Sequence, residues 1–161
     1  MLESNEIIIT INLVLGTVLA WLIAKWYILP NVRRWNPKQI LLPILLLEAS
    51  RYVGMTFLAS GVILKGMPEA FAYPAAYGDL VTSLLAFASL YAVVHGLRAT
   101  RLLLWTLTIV GTIDLFGAII MATISGAPAY MGAAWWIPTL WVPLSLVGHY
   151  VIFVLLRQKK I

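Results

Sequence analysis

The sequence predicts an all-α polytopic membrane protein: a bundle of five transmembrane helices, with the N-terminus outside and the C-terminus in the cytoplasm. Three observations predict it. Of 161 residues, 62% are hydrophobic and only 11% charged, too few polar groups to cover a soluble globule. Five apolar runs are each long enough to cross a hydrocarbon core of roughly 30 Å at about 1.5 Å per residue. With five spans the intervening charges segregate: Arg33, Arg34, Lys38, Arg98, Arg101, Arg157, Lys159 and Lys160 fall on one side, and Lys65 alone, with Glu3, Glu6, Glu69 and Asp79, on the other. The positive-inside rule then sets the orientation. The net charge of +5 therefore reports topology, and no basic stripe with interleaved aromatics points to nucleic acid. The absence of cysteine excludes disulfides, thiolate metal sites and thiol catalysis. The start, Met1 to Glu6, is acidic and no small-residue cleavage site follows the first run, so that run is expected to be retained rather than removed as a signal peptide.

The spans form a single transmembrane domain over residues 1–161, with helices at about 7–29, 40–65, 79–97, 101–124 and 138–156. In the first, Gly16, Ala20 and Ala24 recur every four residues and make a seam for a close partner, either within the bundle or across a homo-oligomer or membrane-complex interface. Pro30 and Pro37 punctuate the loop before the second helix. That helix carries Glu48 and Arg51 in otherwise apolar sequence, and on an α-helix Tyr52, Thr56 and Ser60 continue their stripe. The Pro- and Gly-rich stretch from Gly66 to Gly78 reads as a loop, with Asp79 as the cap that opens the third helix. In the fourth, Gly111 and Gly117 flank Asp114 at three-residue spacing and give its carboxylate a close-packed groove. In the fifth, Pro143 precedes His149, removing a backbone hydrogen bond and bending the helix beside the imidazole.

Counted from the cytoplasmic ends, Glu48 lies roughly 13 Å deep, Arg51 about 18 Å, Asp114 about 20 Å and His149 about 12 Å, whereas His95 lies only about 3 Å in. The candidate ligand-binding residues are therefore Glu48, Arg51, Tyr52, Asp114 and His149, expected around one cavity open to the cytoplasmic half. His149, Asp114 and Glu48 are the candidates for any acid/base role. The architectural alternative is that the carboxylates only neutralise Arg51 and the cluster ties helices together.

The pattern Glu48-x-x-Arg51-x-x-Gly54-x-x-Phe57-Leu58, the Pro-Glu-Ala-Phe-Ala-x-Pro-Ala-x-x-Gly-Asp run ending at Asp79, Asp114-Leu115, and Ile137-Pro138-Thr139 followed by Val142-Pro143 and His149 resemble a group of small, functionally uncharacterised bacterial integral-membrane proteins. Ala76 stands where that loop pattern has Gly. The resemblance implies a multi-pass protein of the bacterial inner membrane and implies no activity. A looser similarity in size and span number to the sterol-isomerase and sigma-2-receptor family carries no residue across.

Four functions remain. The first is binding or movement of a small lipophilic or anionic ligand, with or without proton coupling, in contact with membrane lipid. The others are an intramembrane acid/base enzyme acting on a lipid or terpenoid, a haem b protein, and a purely structural membrane subunit. No cofactor is expected outside the haem alternative, which would draw on His149 and His95 as the available imidazoles, and no other metal site is expected.

Overall fold

The computed structural model describes residues 2–158, and among these it is helical with no strand. Lys159 and Lys160, which count toward the charge bias, lie outside the described residues. Five helices among the described residues are long and apolar enough to cross a membrane. α1 (Leu2–Ile23) continues through a π-helical turn, Ala24–Ile28. α2 (Pro37–Ala49) passes directly into a 3-10 helix, Ser50–Leu58. α3 (Glu69–His95) and α4 (Thr100–Ser125) each end on a left-handed glycine, Gly96 and Gly126. α5 (Val142–Arg157) follows a second π-helical turn, Ile137–Trp141. The outward faces are apolar, with Leu15, Leu19, Leu84, Phe87, Leu102, Ile113, Ile120 and Ile124 all exposed, a surface suited to hydrocarbon rather than water.

Two boundaries differ from the sequence reading. The stretch read as a loop from Gly66 to Gly78 is mostly helix: α3 starts at Glu69, directly after Pro68, and runs through Pro74. Pro and Gly mark loops where water can take the freed backbone groups, but in a helix apolar enough for a bilayer neighbouring helices and local adjustments of pitch re-satisfy those groups, and both residues are tolerated. Asp79 is therefore a mid-helix residue and not a cap. The second helix ends at Leu58 rather than near Lys65. Beyond it, residues 59–68 leave helical geometry, with Gly61 and Gly66 at positive φ.

That irregular segment is tied to the one before α5. Ala133 donates its backbone N–H to the Val62 carbonyl at 2.8 Å, and Leu64 to the Tyr130 carbonyl at 2.9 Å. The backbone at Gly132 comes so close to Val62 that an added Cβ would stand 2.6 Å from its carbonyl oxygen. Together these segments cap the end of the bundle that carries the start of α1.

The small-residue seam of α1 is occupied by the chain itself. Ala20 and Ala24 are buried, and Gly16 lies against the Pro143 ring and the Thr139 carbonyl, each 2.9 Å from where a Cβ would stand. Ala20→Leu is expected to lower the thermal midpoint of the purified protein, at an overpacking cost of about 1–3 kcal/mol, whereas Leu19→Ala on the exposed face should leave it nearly unchanged; equal midpoints for the two variants would contradict this packing.

Candidate functional site

The second helix changes pitch where its charges lie. An α-helix turns 100° per residue, so a three-residue spacing drifts around it, but a 3-10 helix has three residues per turn and eclipses positions i and i+3. In the 3-10 segment Arg51, Gly54 and Phe57 stack on one buried face, and Glu48, at the end of α2, extends the line. Tyr52 is thereby turned outward and is half exposed. The α-helical stripe expected to join Tyr52, Thr56 and Ser60 to Glu48 and Arg51 does not form, and Tyr52 lies outside the site. The junction is secured from outside: Ser83 of α3 donates to the Ala49 carbonyl, and Trp141 Nε1 donates to Ser50 Oγ at 3.0 Å.

Arg51 lies at the centre, 2% exposed. Its Nε donates to Asp79 Oδ1 at 2.7 Å, and Nη2 reaches the same oxygen at 2.6 Å. Nη2 also pairs with Asp114 Oδ2. Nη1 faces the Gly111 carbonyl and His149 Nε2, both at 3.4 Å, with Glu48 Oε2 at 3.8 Å. His149 Nε2 lies 3.3 Å from that Glu48 oxygen. Four helical segments converge on one guanidinium, and Glu48, Arg51, Asp114 and His149, matched in the sequence by depth alone, are neighbours. Asp79 is the member that sequence reasoning missed. The signal for it was present: counted as one span from Glu69, the third helix puts Asp79 well inside.

Each polar side chain is seated on a glycine of the neighbouring segment. A Cβ at Gly54 would collide with the Asp79 carboxylate, one at Gly78 with Asp114, and one at Gly111 with the His149 ring. At Gly148 it would stand 3.0 Å from Glu48 Oε1. The four contacts form a closed circuit from the 3-10 segment to α3, α4, α5 and back to α2. Gly117, expected to line a groove for Asp114, meets nothing within 4 Å; it is Gly78 on α3 that makes room for that carboxylate.

A cavity of about 250 Å³ reaches the cluster. Its walls are apolar, including Ile9, Leu13, Phe57, Phe71, Leu115 and Ala118, and Arg51 and Asp79 form its polar end. Glu6, Thr10 and Thr123 supply the remaining polar lining. The cavity lies toward the end of the bundle that carries the start of α1, Pro128 and Met131, not toward the arginine-rich end where it was expected. Helix depth fixes height but not which side of a charged layer is packed, and below Arg51 the space is filled by Leu41, Ile44, Leu45, Val151 and Ile152. Of the residues expected around it, only Arg51 lines the cavity: Glu48 and His149 lie behind Arg51, and Asp114 faces a separate groove with Tyr77, Val81, Val110 and Ile113. His95 is exposed at the end of α3, edge-on to Tyr91 with ring centroids 4.2 Å apart, so the two histidines are not brought together.

Fold and site define a class: an all-helical protein, with five helices of membrane-crossing length and hydropathy, built around a buried arginine shared by three carboxylates and an imidazole. Within that class the chain belongs to the family described as Domain of unknown function (DUF8737), whose model matches residues 8–157. No curated protein and no solved structure matches the chain.

The glycine circuit has a measurable consequence. Gly78→Ala and Gly111→Ala are expected to lower the thermal midpoint, each costing about 1–3 kcal/mol by forcing a charged or imidazole side chain from its seat. Gly117→Ala, with open space around it, should be neutral or raise stability by up to about 1 kcal/mol through helix propensity. If all three behave alike, the circuit contributes nothing.

Proposed function

We propose that this protein is a multi-pass protein of the bacterial inner membrane that binds a small lipophilic ligand, apolar body against the cavity walls and polar head against Arg51 and Asp79. The observation that carries the reading is the cavity itself: an apolar chamber ending on a buried ion pair has the lining of a ligand site, mostly hydrophobic with a few fixed polar groups. Its volume, just below the roughly 300–1,000 Å³ of drug-sized sites, suits a small ligand. Of the lipophilic and anionic alternatives, the lipophilic one is favoured, because every nitrogen of Arg51 already faces a partner within the protein.

The charge distribution supports an orientation with the N-terminus outside and the C-terminus in the cytoplasm, and on that reading the cavity faces the outer half of the bilayer. Single cysteines introduced at Ser4 and Gln158 should then differ in labelling by an impermeant maleimide on intact cells, Ser4 reacting and Gln158 protected until lysis; labelling of both from the same side would reject the five-span topology. For the site, Ala122→Phe on the cavity wall should abolish thermal stabilisation of the purified protein by small amphiphiles, which at a ligand concentration 100 times Kd amounts to about 2.7 kcal/mol. Undiminished stabilisation of that variant would place the ligand elsewhere.

A further inference from the structure

The polar end of the cavity offers acceptors rather than donors. Asp79 lines the cavity; its Oδ1 takes both bonds from Arg51, and its Oδ2 rests on Gly54. The guanidinium has one N–H on Nε and two on each terminal nitrogen, and these are turned to Asp79, Asp114, the Gly111 carbonyl and the Glu48–His149 pair. An entering carboxylate or phosphate would find no free donor and would meet Asp79 beside the arginine. Toward the start of α1 the cavity passes Thr10, Thr123 and the carboxylate of Glu6, with no basic residue other than Arg51 in the lining. Within the cluster, Asp79 and Asp114 both pair with the one guanidinium, so a positive group complements the site.

We infer that the ligand's head is a hydrogen-bond-donating organic cation, an alkylammonium whose N–H groups bond the Asp79 carboxylate while its chain lies along Ile9, Leu13, Phe71 and Leu115. The inference rests on the proposed reading of the cavity as a ligand site and names the class of ligand. Glu6 draws the cation to the entrance, and Asp79 holds it.

The test compares three probes of equal chain length, octylammonium, octanol and octanoate, by thermal shift on the purified full chain in nanodiscs, with Ala122→Phe as the cavity-filled control. Octylammonium is expected to bind about 10- to 100-fold tighter than octanol, the worth of a hydrogen bond to a charged group, and octanoate more weakly still. Asp79→Asn should erase that preference. Because Asp79 also holds Arg51, Glu6→Gln serves as the variant that leaves the cluster intact, and it should weaken octylammonium while leaving octanol unchanged. Octanol or octanoate binding as tightly as octylammonium, and lost in Ala122→Phe, would overturn the cation assignment while the cavity reading stands. Equal shifts for all three probes in the native chain and in Ala122→Phe, or no shift at all, would overturn both. An octylammonium preference that persists in Glu6→Gln and Asp79→Asn alike would overturn the assignment of these two carboxylates.

Discussion

A guanidinium cannot give up its charge, and burying one leaves N–H groups that must all be met. Arg51 imposes that requirement on every other helix of the cluster. Asp79 of α3 and Asp114 of α4 supply the charge-assisted bonds, the backbone of Gly111 supplies a carbonyl, and Glu48 and His149 close the remaining side. The geometry that makes this possible is the change of pitch after Ala49. Nine consecutive residues of 3-10 helix exceed the three or four usual for such runs, and the segment is held by packing and by hydrogen bonds from Ser83 and Trp141 rather than by its own propensity.

Buried ion pairs are weak evidence for stability, since well-packed apolar residues of similar volume often serve as well or better. Here three carboxylates and an imidazole surround a single cation, and one edge of the group opens on an apolar chamber. The arrangement separates into two faces. Arg51 and Asp79 meet the cavity, while Glu48 and His149 are sealed behind them against the aliphatic core.

The helix count and the meeting of Glu48, Arg51, Asp114 and His149 could be read from hydropathy and depth, because both depend on residue order along a rod of known rise. What depended on rotation and pitch could not. Tyr52 was misplaced because an α-helical turn was assumed where a 3-10 turn exists, although the run Glu48, Arg51, Gly54, Phe57 at strict three-residue spacing was the available sign. Asp79 was read as a cap because Pro68, Pro74 and Gly78 resemble loop punctuation, a rule that weakens in apolar helices. The side on which the cavity opens depends on how aliphatic side chains fill each half of the bundle, and nothing in the spacing of the charges encodes that.

The glycine circuit also orders the assembly of the molecule in time. In the direction of synthesis, Gly54 precedes Asp79, Gly78 precedes Asp114, and Gly111 precedes His149, so each polar side chain emerges after the recess that receives it. Only the last contact runs backward, since Gly148 of α5 receives Glu48 from α2. Until the fifth helix arrives, Glu48 has neither its seat nor its imidazole neighbour, and the nascent bundle carries one unfinished carboxylate that the final helix covers.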